Sequence, residues 1–211
     1  MHIPDGFLTV KVWVSAWLVS IFGIGYCLKK TSRDLKDKMI PLMGVMSAFI
    51  LAAQMLNFPI FGGTSGHLLG GVLAAVLLGP YAAALVLTSV LIVQCLLFQD
   101  GGLTALGANI LNMAIVGSMG GYSIYAMVRK ASGNSRGIVL GSVVASWLAV
   151  VAAASLCAWE LAVSGISGLK MILLPMAGIY MFIAAVEAII TGMVIEFILK
   201  VRPDLIYGFK E

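Results

Sequence analysis

Residues Tyr81–Phe98 read YAAALVLTSVLIVQCLLF, eighteen residues without a charge, between a Gly79-Pro80 break and the turn-forming Gln99-Asp100-Gly101-Gly102. A run of this length and character crosses the roughly 30 Å hydrocarbon core of a bilayer as a helix. Outward from it, runs of the same kind fall at Phe7–Leu28, Met39–Phe58, a shorter His67–Gly79, Leu103–Val128, Ile138–Leu161 and Ile172–Leu199. The third is the shortest and carries Gly70 and Gly71; as a re-entrant segment it would leave six spans. The favoured reading is an all-α polytopic membrane helix bundle of seven transmembrane helices, a single integral membrane domain over residues 1–211.

Composition excludes a water-soluble globule: of 211 residues 61% are hydrophobic and 10% charged, with a mean hydropathy of +1.07. Soluble domains carry about a quarter charged residues. The net charge of +4 is not a nucleic-acid stripe. It is concentrated at Lys29, Lys30, Arg33, Lys36 and Lys38, at Arg129, Lys130 and Arg136, and at Lys200, Arg202 and Lys210, in three segments that each follow an apolar span. By the positive-inside rule these segments are cytoplasmic. The N-terminus and Asn57–Gly66 are then outside and the C-terminus inside, a pattern that six spans would spoil. Cys27, Cys95 and Cys157 lie apart in apolar runs and read as buried small hydrophobes. Met1-His2-Ile3-Pro4-Asp5-Gly6 lacks the basic n-region of a signal peptide, so the initiator end is expected to be the mature end.

The chain has two histidines, His2 and His67, 65 positions apart, and the topology puts both on the outer side. A histidine at position two can chelate a metal through the α-amine of Met1, its own deprotonated amide nitrogen and its imidazole, three nitrogens in one plane. A fourth from His67 completes a tetragonal set that suits Ni(II) or Cu(II), with Co(II) as a second guest, whereas tetrahedral Zn(II) gains nothing from planarity. The chelate requires an unblocked Met1, and a bulky second residue disfavours its removal. Taken singly, His2 reads as a loose terminal residue and His67 as a helix-end histidine bonded to a loop carbonyl.

The charge-free Gly62-Gly63-Thr64-Ser65-Gly66-His67 could pack onto the bundle as scaffold or lid, or act as a linker, with His67 expected to start a helix at the outer surface rather than lie buried. Asn57, Ser65, Asp5 and Asp100 are available to bond a ligand imidazole, or to cap loops. Glu187, mid-span, is an ionisable group in lipid, functional by default or bonded to a neighbouring helix. Gly44, Ala48 and Ala52 form a ridge of small residues for close helix approach, within the bundle or by a partner subunit.

Met1-His2-Ile3-Pro4-Asp5-Gly6-Phe7, Gly63-Thr64-Ser65-Gly66-His67-Leu68-Leu69-Gly70 and Gly101-Gly102-Leu103-Thr104-Ala105-Leu106-Gly107-Ala108-Asn109 resemble the NikM/CbiM family, the substrate-binding S components of energy-coupling-factor (ECF) importers for nickel and cobalt. The sharp motifs lie in the first half of the chain. The resemblance implies a metal site on Met1, His2 and His67, and a six-helix core preceded by one N-terminal helix. It also implies a prokaryotic cell membrane, a transmembrane coupling (T) subunit facing Gly44, Ala48 and Ala52, two ATP-binding-cassette ATPase subunits, and, in some members, a small accessory membrane protein. The chain contains no Gly-x-x-x-x-Gly-Lys-[Ser/Thr], so the ATPases would be separate chains. The ion is then a transported substrate, Ni(II) or alternatively Co(II) for cobalamin synthesis, with no catalytic cofactor.

Two other classes compete. Gly63-Thr64-Ser65-Gly66 matches the Gly-x-Ser-Gly of rhomboid-type intramembrane proteases, but no histidine follows His67 to activate the serine from a later helix, leaving only His2 as a base. A zinc protease would need His-Glu-x-x-His, and a channel would need polar rings along a path.

Overall fold

A computed structural model describes residues 1–209 apart from 36, 38, 61–63, 133 and 134. Of the residues discussed above, Lys36, Lys38, Gly62, Gly63 and Lys210 lie outside the described residues. The elements are α1 (Val10–Asp34), α2 (Met39–Met55), β1 (Phe58–Ile60), β2 (Thr64–Gly66), α3 (Gly71–Leu78), α4 (Pro80–Leu97), α5 (Leu106–Asn109), α6 (Gly121–Ser132), α7 (Ser135–Val163) and α8 (Leu169–Val201). A π-helical stretch, Ile110–Gly120, joins α5 to α6 into one helix of 27 residues. A final turn at Pro203–Leu205 follows α8.

Among the described residues five helices are long and apolar enough to cross a membrane: α1, α4, the continuous Leu106–Ser132, the α7 segment Arg136–Val163, and α8. The protein is therefore a multi-pass membrane protein. α2, with 17 residues, is shorter, and α3 has only eight. Eight residues at 1.5 Å each span about 12 Å, so α3 alone does not cross the bilayer. All eight of its residues are buried, packed among α4, the π-helical stretch, α6 and α7. α3 is the centre of the bundle, which explains why its composition reads as a span while its length does not.

Chain punctuation sets the boundaries. Gly79, at φ +84°, turns the chain from α3 into α4, whose first residue Pro80 needs no N–H partner there. Arg202, pushed out of the helical region ahead of Pro203, ends α8. The first helix begins at Val10, not Phe7, because the residues before it turn back into the bundle. The fold is also not purely helical: Phe58-Pro59-Ile60 pairs antiparallel with Thr64-Ser65-Gly66, Pro59 opposite Ser65. This hairpin replaces the loop expected there, β-favouring Phe58, Ile60 and Thr64 supplying the strand character.

α2 buries Met46, Ile50 and Gln54, one face at i, i+4, i+8. Gly44, Ala48 and Ala52 are all exposed, and a Cβ at Gly44 would meet nothing. The small-residue ridge therefore does not pack inside this chain. Cys27 and Cys157 are buried as expected, whereas Cys95 is only partly so.

Candidate metal site

The residues ahead of α1 form a strap that enters the bundle. Met1 and Ile3 are fully buried and His2 is 3% exposed. The strap is held by its backbone: Ile3 N–H donates to Asn109 Oδ1 at 2.9 Å, while Ile3 C=O accepts from Asn109 Nδ2 at 3.2 Å and from Gly102 N at 2.9 Å. The Asp5 carboxylate accepts from Leu103 N at 3.0 Å, Thr104 N at 2.7 Å and Thr104 Oγ1 at 2.5 Å. A Cβ on Gly102 would overlap the Asp5 backbone, so the turn after α4 needs glycine for this approach.

The second arm is the segment after β2. His67–Gly70 runs without regular structure into α3, with Gly70 at φ +76°. The Glu187 carboxylate of α8 accepts from Leu69 N–H and from Gly70 N–H, the latter at 3.0 Å. Glu187 thus satisfies two donors at the start of α3 that no helical carbonyl can reach, and it fixes the segment that carries His67. His67 is 1% exposed. The expectation of a histidine at a helix start on the outer surface is corrected: it sits four residues before the first residue of α3, inside the bundle.

The two arms meet at Met1. Its α-amine donates to Ser65 C=O and to Tyr180 Oη at 2.5 Å, and lies 3.0 Å from His67 Nε2. Tyr180 itself donates to Ser65 C=O at 2.6 Å. His67 Nδ1 is 2.7 Å from Leu68 C=O. The rings of His2 and His67 have centroids 4.5 Å apart. His2 Nδ1 lies 3.2 Å from Ser65 Oγ and 3.3 Å from Asp100 Oδ1, and its Nε2 lies 3.1 Å from Gln94 Oε1. Among the described residues no group of three His, Cys, Asp or Glu side chains could hold a metal ion. An ion here would need terminal or main-chain nitrogen as well.

Burial sets the protonation. Loss of water lowers the Met1 amine from 8.0 to about 5, and His2 from 6.5 to about 3, the nearby terminal charge adding to the latter. At neutral pH the Met1 amine and the His2 ring are then uncharged, the form in which nitrogen binds a metal. Burial pushes the Asp100 carboxyl up, opposed by the terminal amine and by Asn57, whose Nδ2 donates to Asp100 Oδ2 at 3.0 Å.

Met1, His2 and His67, 65 positions apart in sequence, are thus brought together. Ser65 and Asp100 reach His2, and Asn57 reaches it only through Asp100. Asp5 does not contact either ring and clamps the strap to the turn after α4. Glu187 bonds the backbone that leads into α3. Sequence reading missed Gln94, Gln54, Tyr180 and the bonding role of Asn109. Their signal was present: an amide side chain in an apolar span is costly in lipid and calls for a buried partner.

The chain matches the CbiM family, described as the cobalt uptake substrate-specific transmembrane region, over residues 2–205. An Archaeoglobus fulgidus relative named as a fused nickel transport protein, NikMN, is 41% identical over 208 residues, 98% of this chain and 68% of that one. A Methanosarcina barkeri relative named as a cobalt transport protein is 30% identical, covering 100% of this chain and 94% of that one. A crystal structure described as a truncated transition metal transporter superposes with a TM-score of 0.89 at 34% identity, covering 95% of this chain and 99% of that one. The intramembrane-protease reading finds no support among these relatives, which are named as transport proteins. The chain is a nickel/cobalt transport component, not an enzyme, and it belongs to the CbiM family of substrate-specific transmembrane regions.

Proposed function

We propose that this chain captures Ni(II) from outside the cell as the substrate-binding subunit of an ATP-driven importer of the energy-coupling-factor type. The ion is held by the Met1 α-amine, the deprotonated amide and Nδ1 of His2, and Nε2 of His67. The observation that carries this reading is the buried Met1 amine 3.0 Å from His67 Nε2. With metal–nitrogen bonds of about 2.0–2.1 Å, adjacent corners of a square lie about 2.9 Å apart, so the two nitrogens stand at the spacing of neighbouring donors. Planar nitrogen coordination favours nickel over tetrahedral competitors. Cobalt is the second reading, favoured by the family description.

Seven crossings accommodate the positive-inside pattern, the third being made of the irregular His67–Gly70 and the short α3. The N-terminus then lies outside and the C-terminus in the cytoplasm. The exposed Gly44, Ala48 and Ala52 ridge is the docking face for a coupling subunit, and two separate ATPases supply the energy.

The test is metal accumulation by cells expressing this chain with its coupling subunits. ATP-dependent nickel uptake that disappears when a glycine is inserted ahead of Met1 supports the reading. Uptake that survives the insertion overturns the terminal site, and uptake of cobalt in preference to nickel shifts the substrate.

A further inference from the structure

We propose that Gln54 and Gln94 are positioning residues that hold the proton of His2 on Nε2 and so keep Nδ1 free for the metal; the inference deepens the proposed metal site and rests on it. A histidine at position two closes its chelate ring through Nδ1. The neutral ring carries its proton on one nitrogen only, and the partner of the other nitrogen decides which. The choice is contested here, because His2 Nδ1 lies 3.3 Å from the acceptor Asp100 Oδ1. A proton drawn to that side would occupy the atom the metal needs.

The polarity of the opposing chain follows from its far end. Leu69 C=O can only accept, so Gln54 presents its Nε2 there, at 2.8 Å. Gln54 Oε1 therefore faces Gln94, and Gln94 donates its Nε2 to it at 3.0 Å. That leaves Gln94 Oε1, an acceptor, 3.1 Å from His2 Nε2. The ring must then donate from Nε2, and Nδ1 keeps its lone pair, to which the Ser65 hydroxyl at 3.2 Å can donate. Both amides are buried, Gln54 being 1% and Gln94 0% exposed, so each is committed to its protein partners.

The same stretch of backbone sets the other ring. Leu68 C=O, also an acceptor only, takes the proton of His67 Nδ1 at 2.7 Å and leaves Nε2 bare toward Met1. Two successive carbonyls, Leu68 directly and Leu69 through two glutamines, thus set the proton of each imidazole and leave His2 Nδ1 and His67 Nε2 bare, on rings 4.5 Å apart. Glu187 holds this stretch by its N–H groups. Ligand basicity and orientation depend on such outer partners, and their loss typically lowers metal affinity 10–100-fold.

The test uses the full chain in detergent, with two readouts. Histidine-selective nitrogen NMR of the metal-free native protein is expected to show His2 protonated at Nε2. Gln94→Leu is expected to move that proton to Nδ1 and weaken nickel binding about 10–100-fold, while Gln94→Glu, which keeps an acceptor oxygen at the same place, restores both. Gln54→Met should leave His2 with mixed protonation and a smaller loss. A native ring protonated at Nδ1 overturns the inference without any variant, even if the variants fail to fold. Gln94→Leu with native ring protonation and native affinity overturns it while the metal site stands. Failure of the native chain to bind nickel overturns the metal site instead, and the ring protonation of the metal-free protein still decides the relay.

Discussion

Nickel binding at pH 7 should release about one proton per ion, although three of the four donor nitrogens are ordinarily basic. With the usual values of 8.0 for the amine and 6.5 for each imidazole, the amine would be about 90% protonated at pH 7 and each ring about one quarter. Binding would then expel these protons together with the one on the His2 amide, roughly 2.4 in all. Burial changes the count. An amine at about 5 and His2 at about 3 carry almost no charge at pH 7, and His67 gives its one proton from Nδ1 to Leu68 C=O, leaving Nε2 bare. Only the amide proton is left to displace. The logarithm of affinity should therefore rise by about one per pH unit between pH 6 and 8, and more steeply only as pH falls through the amine value near 5. Calorimetric titration of the full chain in buffers of different ionisation enthalpy measures the release directly. Two or more protons at pH 7 would refute the reasoning, because the donors would then be solvated before the metal arrives.

Docking of the metal-free strap carries the same sign. The amine is protonated below 8.0 when undocked and only below about 5 when docked, so docking is strongest above pH 8 and weakens as pH falls toward 5. Hydrogen exchange at the Ile3 amide should speed up across that window. Asn109→Ala leaves the buried Ile3 N–H without a partner and should lower the free energy of strap opening by about 1–3 kcal/mol, a 5- to 150-fold faster exchange at Ile3. Native exchange in the variant would show that the strap is held elsewhere. His67→Ala should weaken nickel binding by more than about 100-fold, beyond the loss expected for an outer partner, and because His67 is buried it should also lower the unfolding temperature; unchanged nickel affinity would remove His67 from the ligand set. Ala48→Leu, on an exposed face of α2, should leave stability within about 0.5 kcal/mol and metal binding unchanged while reducing uptake with the coupling subunits. Normal uptake would discard the docking ridge.

Hydropathy made the membrane class and most helices legible, because apolar run length reports directly on burial in lipid. It placed α4, α7 and α8 within a few residues of where they run. It was least informative at α3, whose eight residues are apolar because protein surrounds them and are too few to cross lipid without the irregular His67–Gly70 ahead of them. It also started the first span at Phe7, three residues ahead of α1, because the residues before Val10 form an anchored strap with Met1 and Ile3 buried. That Met1, His2 and His67 would come together was legible from chemistry, since a second-position histidine and one other histidine are all the imidazole the chain has. The residues that orient it were not, since Gln54 and Gln94 come from different helices and only the fold reveals that they bond each other. Asp5 and Asp100, equivalent candidates in sequence, were separated by geometry: one binds backbone, the other faces His2.

The claim at the centre of this account is that the chain terminus is itself a ligand. The most direct test is the absorption spectrum of the nickel-loaded chain beside one carrying a single extra glycine ahead of Met1. The native chain should show the band of diamagnetic, planar four-nitrogen nickel, and the extended chain should lose it, because its amine can no longer stand 3.0 Å from His67 Nε2. The same planar band in both chains would contradict the account and place the ion on donors that do not include the Met1 amine.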